Sequence, residues 1–190
     1  MEPIRIAEQL QEKFQTSILG IDEHRGQVTV LVDRDVIVKI ISFLKKDQKM
    51  NHLSCLCGVD NKKRKAASAY MERFEVVYQL YSIENRTSLR LKAQIPESDQ
   101  TIDSITSLWT GANWLERETY DLLGIVFNNH PNLKRILTPE DWEGHPLRKE
   151  YKLRGDTEWR GLEELKKKAV QLQQFDFHNA STAQGTSSDE

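Results

Sequence analysis

Apolar residues recur at helical spacing in two stretches near the start of the chain. In residues 4–16, Ile6 and Leu10 fall on one face, and residues 34–46 carry a similar apolar face. Asp33 stands immediately before the second stretch, where its carboxylate can cap the first turn of a helix. The pattern therefore predicts two helices that each pack against a core through a single side.

Between and after these helices, β-branched and alternating apolar residues are typical of strands. The predicted strands span residues 28–32, 52–59, 70–83 and 88–95. Together with the two helices they predict an α+β fold, in which an antiparallel-rich sheet carries helices on one face. Polar residues that alternate with the core positions leave the other face of the sheet either solvated or covered by a partner.

After the predicted sheet, Pro96 interrupts the alternation and the pattern becomes helical. Ser104 can cap a short helix over residues 105–109. A longer helix is predicted over residues 112–123, with Gly124 at its C-terminal end. This longer helix carries four candidate functional residues, namely Glu116, Arg117, Glu118 and Asp121.

Beyond Gly124 the periodicity disappears. Residues 125–160 contain three of the five prolines of the chain and two of its four tryptophans. A structureless stretch of this length is improbable inside a compact domain, so we expect an arm that extends over another protein. The predicted organisation is a compact α+β domain in residues 1–124, an extended interface arm in residues 125–160, an amphipathic helix in residues 161–177 and a disordered tail in residues 178–190.

The two cysteines, Cys55 and Cys57, lie in one predicted strand. Alternation with Leu53 and Val59 places both thiols on the inner face, where they serve as small apolar side chains. An iron–sulfur cluster needs about four thiolates, and a disulfide between residues two apart would be strained. The sequence therefore predicts that the chain holds no redox centre of its own.

Composition and charge narrow the class of protein further. No stretch approaches the roughly 18 apolar residues of a membrane-spanning helix, and the N-terminus has no signal-peptide core. We therefore expect the chain to remain in the cytoplasm and to contact a membrane only indirectly. The net charge is −2, and the basic cluster at residues 62–65 is interpreted as a solvated loop, so no nucleic-acid partner is predicted.

An acidic cluster on the helix over residues 112–123 is the main candidate for chemistry. Arg117 and Asp121 are four residues apart, so they can pair along one edge of the helix. Glu116 and Glu118 diverge by about 200° around a helix and cannot flank one bond as an acid–base pair. The sequence also lacks a glycine-rich phosphate loop and a dinucleotide fingerprint. A stand-alone enzyme that uses this cluster is therefore the weakest alternative.

Two histidines, His130 and His145, each precede a proline. A zinc site would need them on rigid elements together with a third and usually a fourth ligand. Nothing near them in the sequence supplies such ligands at the spacing of a zinc site. We therefore interpret both histidines as hydrogen-bonded residues of the arm.

The same region forms a motif that extends over more than twenty positions. Its first part consists of Glu116, Arg117, Glu118, Asp121, His130 and Lys134, followed by Arg135. This pattern resembles the diagnostic motif of the 30 kDa-type subunit family of respiratory complex I, the NADH:quinone oxidoreductase. The continuation resembles the arm of that family at Gly144, His145, Pro146, Arg148 and Lys149, and it departs conservatively at Glu150 and Tyr151. The resemblance covers residues 28–155.

The family resemblance implies a non-catalytic scaffolding subunit of a proton-translocating NADH:quinone oxidoreductase. Such a subunit docks the 49 kDa-type quinone-site subunit and neighbouring iron–sulfur subunits in the peripheral arm of the complex. That arm lies on the cytoplasmic side of the bacterial inner membrane, or on the matrix side in mitochondria. The equivalent subunit of a membrane-bound hydrogenase or of a photosynthetic complex I relative is the alternative.

The resemblance also implies where the cofactors are. This chain has none, because FMN and the iron–sulfur clusters belong to partner subunits. NADH and quinone are reached only through the complex, so the isolated chain is expected to have no activity.

Overall fold

The computed structural model describes residues 2–64, 71–152 and 161–173. The chain divides into two compact units, Met1–Tyr151 and Lys152–Glu190. In the described part of the first unit the helices are α1 (Pro3–Phe14), α2 (Ile37–Lys46) and α3 (Ala112–Leu123). The strands are β1 (Ile18–His24), β2 (Gln27–Asp33), β3 (His52–Asp60), β4 (Phe74–Ser82), β5 (Thr87–Ile95), β6 (Thr101–Asp103) and β7 (Val126–Asn128).

The main sheet has the strand order β1-β2-β5-β4-β3. Its pairings are antiparallel except that β2 and β5 run parallel. Val30, Leu91, Tyr78 and Leu56 lie in register across four strands and are all buried, which shows how apolar alternation builds one face of the core. The predicted α+β fold with an antiparallel-rich sheet is confirmed.

The N-terminal helices bury the faces that their sequence patterns indicated. Ile6 and Leu10 of α1 are fully buried, as are Ile40 and Leu44 of α2. The Asp33 side chain accepts a hydrogen bond from the N–H of Asp35, as expected of a cap, although the first turn is a 3₁₀ turn. Burial of these aliphatic side chains stabilises the domain by about 1.5–3 kcal/mol for each residue.

The structure differs from the predicted elements in two places. Strand β1 was not predicted, because Gly20 and the acidic residues that follow it interrupt the apolar pattern of an edge strand. Residues 105–109 form a single turn, closed by N–H groups of Leu108 and Trp109 on the Ile105 carbonyl, and not a helix. A segment this short does not offset the unfavourable start of a helix.

The direction of the side chains in β3 corrects the prediction for the cysteines. A bulge between Leu53 and Cys55 shifts the register of β3 against β4. Leu53 packs against the core, whereas Cys55 and Cys57 are exposed and Leu56 between them is buried. One inserted residue reverses the side on which every later residue of the strand lies, so alternation counted from Leu53 gave the wrong face.

Helix α3 packs closely on β3 at Gly58. A Cβ atom at Gly58 would lie 2.5 Å from Leu123 Cδ1 and 2.8 Å from Thr119 Cγ2, so only glycine allows this approach. The helix ends at Gly124, whose φ of +78° is the left-handed conformation expected of a C-terminal glycine. These two glycines fix the helix that carries the motif against the edge strand of the sheet.

We call residues 129–151 the motif segment. It contains turns but no further helix or strand. Its backbone is nevertheless held by the first unit, since the Leu147 N–H donates to the Leu122 carbonyl at 3.0 Å and the Lys149 N–H donates to Asp60 Oδ2 at 2.9 Å. Its use as an interface arm stays a prediction.

In the second unit, the described residues form helix α4 (Leu162–Gln173). The helix lies within the predicted span 161–177, and two of its apolar side chains, Leu165 and Val170, are about half exposed. The end of the predicted arm (153–160), the end of the predicted helix (174–177) and the predicted tail (178–190) lie outside the described residues. None of the described helices is long and apolar enough to cross a membrane.

Candidate functional site

The buried carboxylate of Asp121 on α3 binds the motif segment. Its Oδ2 accepts hydrogen bonds from the N–H groups of Ile136 (2.9 Å), Leu137 (2.7 Å) and Thr138 (2.9 Å). Its Oδ1 accepts from the Thr138 hydroxyl and, at 2.8 Å, from the Arg135 guanidinium. Burial alone would raise the pKa of this carboxyl, but the hydrogen bonds from Thr138 and the backbone outweigh it and hold the pKa well below its usual range. Asp121 is therefore an ionised anchor for the segment.

Arg135 extends this anchor along the motif segment. One guanidinium nitrogen, Nη1, is shared between the Asp121 carboxylate and the Thr138 hydroxyl. The other, Nη2, donates to the carbonyls of Trp142 and Gly144, each at 3.0 Å. A single guanidinium thus joins helix α3 to two later turns, which uses the fixed fork of donors that only arginine offers.

The predicted pairing of Arg117 with Asp121 is wrong. Arg117 donates from Nε to the Lys134 carbonyl at 3.0 Å and from Nη2 to the Arg135 carbonyl at 3.2 Å. Its charge also lies 5.1 Å from the centre of the Trp114 ring. The four-residue spacing allowed a pair along the helix, but the backbone donors and the Arg135 guanidinium already occupy the Asp121 carboxylate. Arg117 and Asp121 therefore each bind the motif segment, through separate hydrogen bonds.

The two glutamates of the motif point in different directions, as predicted. Glu116 is fully buried, and its carboxylate accepts hydrogen bonds from the Ser104 hydroxyl (2.7 Å) and the Ile105 N–H (2.8 Å). Glu118 is exposed. Burial raises the pKa of Glu116, and the two hydrogen bonds only partly oppose this. Glu116 therefore secures the turn that precedes α3, while Glu118 is free to face a partner or solvent.

Both histidines are hydrogen-bonded to the backbone. The His130 Nδ1 accepts from the N–H of Asn132 at 3.0 Å, and its Nε2 lies 3.3 Å from the Asn113 carbonyl and 3.9 Å from the Glu116 carboxylate. The His145 Nδ1 lies 2.9 Å from the Asp121 carbonyl. Burial lowers the pKa of both rings, so both are neutral at pH 7.

Three further residues of the predicted set lie where the segment meets the end of α3. Arg148 Nε donates to the Leu123 carbonyl at 2.7 Å, and the guanidinium covers the Phe74 ring at 5.3 Å. Gly144 has a φ of +82°, which favours glycine, and offers its carbonyl to Arg135. Pro146 precedes Leu147, whose N–H is bound by α3.

The predicted lysines act through their backbones. The Lys134 carbonyl accepts from Arg117, and the Lys149 N–H donates to Asp60. Neither ammonium group takes part in these two hydrogen bonds. The residues of the motif therefore fix the backbone conformation of the segment more than they supply reactive groups.

A second cluster of charges was not predicted from the sequence. Arg73 lies nearly buried between Asp60, Glu97 and Glu150, with a contact of 2.5 Å from Nη2 to Glu150 Oε2. Its hydrogen bond lowers the pKa of Glu150 to about 2. Asp60 also accepts from the Lys149 N–H, so the cluster secures the end of the motif segment to β3. The partners are far apart in sequence, and no local spacing rule could have joined them.

Among residues 2–64, 71–152 and 161–173, no three His, Cys, Asp or Glu side chains converge as metal ligands. The charged side chains instead bind backbone groups and give the motif segment one conformation. Large apolar side chains remain on its outside: Trp114 is 60%, Leu137 62% and Leu147 54% exposed.

The fold and the motif together define the class of this protein, a small α+β subunit of a respiratory-chain dehydrogenase. A sequence profile of the family described as "Respiratory-chain NADH dehydrogenase, 30 Kd subunit" matches residues 30–157, which is more than half of the chain. The chain therefore belongs to this family, and the resemblance indicated by the motif is confirmed.

Relatives agree with this assignment. The C-type subunit of the NADH-quinone oxidoreductase of Geobacter metallireducens is 49% identical over 154 residues, which cover 81% of this chain and 92% of that protein. The protein of the same name from Geobacter sulfurreducens is 51% identical over 146 residues, covering 77% of this chain and 87% of its own length.

Two solved structures share the fold. A trypsin-resistant fragment (1-134) of Nqo5 is 31% identical with a TM-score of 0.61, and all of it matches 70% of this chain. A chain of a membrane-bound sulfane sulfur reductase, an archaeal respiratory membrane complex, has a TM-score of 0.65 over 93% of this chain and 96% of its own. The second is 22% identical, so it shows the fold alone.

Proposed function

We propose that this chain is a non-catalytic scaffolding subunit of a proton-translocating NADH:quinone oxidoreductase. In this role it docks a 49 kDa-type quinone-site subunit and neighbouring iron–sulfur subunits in the peripheral arm. The arm lies on the cytoplasmic side of the membrane in bacteria. NADH, FMN, iron–sulfur clusters and quinone are bound by the partners, and the isolated chain has no turnover.

The observation that carries this proposal is an apolar surface on a segment held in one conformation. Leu137 is more than half exposed, although its own N–H is bound to the buried Asp121 carboxylate. Leu147 is likewise exposed while its N–H is bound by α3. Preorganised apolar side chains lose little conformational entropy on docking, and aromatic or aliphatic anchors dominate the energy of many protein interfaces.

The chemistry of the described residues supports a structural role. The charged groups of the motif form hydrogen bonds within the subunit, and Asp121 and Arg135 are both used to hold the backbone. An iron–sulfur cluster needs about four thiolates, whereas the sequence has two cysteines. Electron transfer is therefore assigned to the partner subunits.

The experiment compares two exposed leucine-sized side chains on different parts of the surface. Leu137→Ser removes an anchor from the motif segment. Ile83→Ser is the matched control, because Ile83 is equally exposed (62%) but lies in the turn between β4 and β5. Each variant replaces the natural subunit in cells, intact complexes are counted on native gels, and NADH:quinone activity is divided by that count.

Leu137→Ser should lower the number of intact complexes several-fold, because loss of a central interface anchor costs about 2 kcal/mol or more. Activity per surviving complex should stay near normal, and Ile83→Ser should assemble like the natural protein. Normal assembly with lower activity per complex would contradict the scaffolding role and indicate a direct part in quinone chemistry. Equal loss in both variants would show that the motif segment is not the docking surface.

A further inference from the structure

Two thiols stand side by side on the open face of the edge strand β3. The bulge before Cys55 turns both Cys55 and Cys57 away from the core, and both are exposed. Residues two apart in a strand lie on the same side, with Cα atoms about 6.6 Å apart. Because β3 is the last strand of the sheet, no further strand of the main sheet covers this edge.

The two thiols share one side of the strand, and charged residues on neighbouring elements bear on their pKa. Partial burial raises the pKa of Cys57, and the neighbouring Cys55 thiol raises it further as a charge and as a hydrogen-bond partner. Arg90 on β5 acts in the opposite direction and favours the thiolate, while Glu118 on α3 opposes it. The pair therefore consists of two exposed thiols on one side of the strand, with Arg90 in the same cross-strand row beyond Gln79.

Two common fates of a thiol pair do not fit this geometry. A disulfide needs Cβ atoms about 4 Å apart, and parallel side chains on an extended strand stand farther apart than that. Zinc needs three or four protein ligands, and no third His, Cys, Asp or Glu converges on the pair among the described residues. The remaining possibility for the thiol pair is a metal ion that is stable with two thiolate ligands.

We propose that Cys55 and Cys57 form a two-coordinate binding site for one soft monovalent cation of the Cu⁺ class. Thiolates are the ligands that select Cu⁺ over harder ions. Metal–sulfur bonds of about 2.3 Å, the length that thiolates make to zinc, place the two sulfur atoms about 4.6 Å apart across one ion, which neighbouring side chains on one face can reach. The site lies on the opposite side of the sheet from the helices and is separate from the motif segment.

Binding is an exchange of protons for the ion. Cu⁺ forms two bonds to sulfur, both S–H bonds break, and two protons leave to the solvent, with no change of oxidation state. Because the protons compete with the ion, the affinity should rise as the pH rises toward the pKa of the thiols. Proton release therefore gives a readout that does not depend on the activity of any complex.

The test uses the purified full-length chain under anaerobic, reducing conditions. Cu⁺ is delivered from a chromogenic chelator, and transfer to the protein is followed by loss of the chelator colour. Cys55→Ser and Cys57→Ser each leave one thiol. The double change Ser54→Cys with Cys55→Ser is the matched control, since it keeps two thiols but moves one of them to the bulge. Circular dichroism verifies that each variant is folded.

The natural chain should bind one Cu⁺ and release two protons. Each single-thiol variant and the displaced-thiol control should bind at least 100-fold more weakly, because a second tethered ligand typically adds 10²–10⁴-fold. Equal affinity in the natural chain and a folded single-thiol variant would overturn the proposal. So would one Cu⁺ for every two chains, which would mean that the ion bridges separate molecules.

Discussion

The main sheet and the motif segment are fixed by different kinds of interaction. Across the sheet, buried apolar side chains such as Val30 and Leu91 lie in register and pack against α1 and α2. In the motif segment, regular secondary structure is absent and buried charges bind backbone groups, with Asp121 alone receiving three N–H groups. The sheet is stabilised by many weak apolar contacts, whereas the motif segment is stabilised by a few strong hydrogen bonds to charged groups.

This difference determines how the stability of each region responds to the loss of one side chain. Loss of one side chain from a core leaves most contacts in place, and the penalty depends on how the remaining atoms repack. Loss of one ion from a buried pair leaves its partner charged and unsatisfied, which costs about 3–5 kcal/mol at a single position. We therefore expect the motif segment to be more sensitive to single polar substitutions than to loss of apolar area.

The largest effect is expected for Asp121→Ala. The change removes the partner of Arg135 and of three backbone N–H groups, so it should cost about 3–5 kcal/mol. Amide exchange in residues 130–151 should accelerate more than in β4 and β5. Urea unfolding and hydrogen-exchange mass spectrometry measure the two effects.

Glu118→Ala is the control for that comparison, since it removes a carboxylate from the exposed face of the same helix. It should change stability by less than about 0.5 kcal/mol. If Asp121→Ala were no worse than Glu118→Ala, the hydrogen bonds of Asp121 would not be what holds the segment.

A substitution on the packing side should have an intermediate effect. Gly58→Ala forces a Cβ atom to within 2.5 Å of Leu123, so overpacking should cost about 1–3 kcal/mol and shift α3 away from β3. Gly20→Ala is the matched control, because a Cβ atom there meets nothing within 4 Å. Thermal unfolding of both variants measures the difference, and an equal effect would show that the helix does not need this close approach.

Arg117→Ala should have a smaller effect than Asp121→Ala. Arg117 gives two hydrogen bonds to carbonyls of a partly exposed turn, and its removal strands no carboxylate, so we expect a loss of about 1–2 kcal/mol. Urea unfolding of the purified chain measures it. A loss as large as that of Asp121→Ala would mean that the two residues form one coupled unit after all.

The smallest effect concerns pH. Burial raises the folded pKa of Glu116 above its usual value of 4.5. Its protonation therefore stabilises the fold below pH 4.5, and this contribution is lost as the pH rises through the raised pKa. Glu116→Gln keeps the hydrogen-bonding shape without the charge, so it should flatten that part of the stability–pH curve. Chemical unfolding at several pH values between 4 and 8 measures the slope, and an unchanged slope contradicts the prediction.

The helices and most of the strands could be predicted because their signal is local. The apolar faces of α1 and α2 and the glycine that ends α3 follow from residues three or four positions apart. Strand β1 lacks that signal because only Ile18 of its seven residues is buried. The bulge in β3 has no clear signature in sequence, so the side on which the thiols lie could not be read from alternation.

The motif singled out candidate site residues, whose functional role stays a prediction, but it did not give their hydrogen-bond partners. The motif named Asp121 and Arg135 as important, whereas the four-residue rule paired Asp121 with Arg117. Arg73 and Glu150 meet although they stand far apart in the chain. Gly58 carried a signal that could have been used, since an isolated glycine in a strand often marks a close approach by another element.

The single parallel pairing of the sheet also bears on how the chain folds. Strand β2 lies beside β5, so the two strands can pair only by closing a loop that contains α2, β3 and β4. Closing so long a loop is entropically unfavourable and slows folding relative to the β4–β5 hairpin, which pairs locally. During synthesis, the edge of β2 therefore has no β5 partner until β5 emerges from the ribosome. We expect the nascent subunit to be most prone to aggregation during this interval.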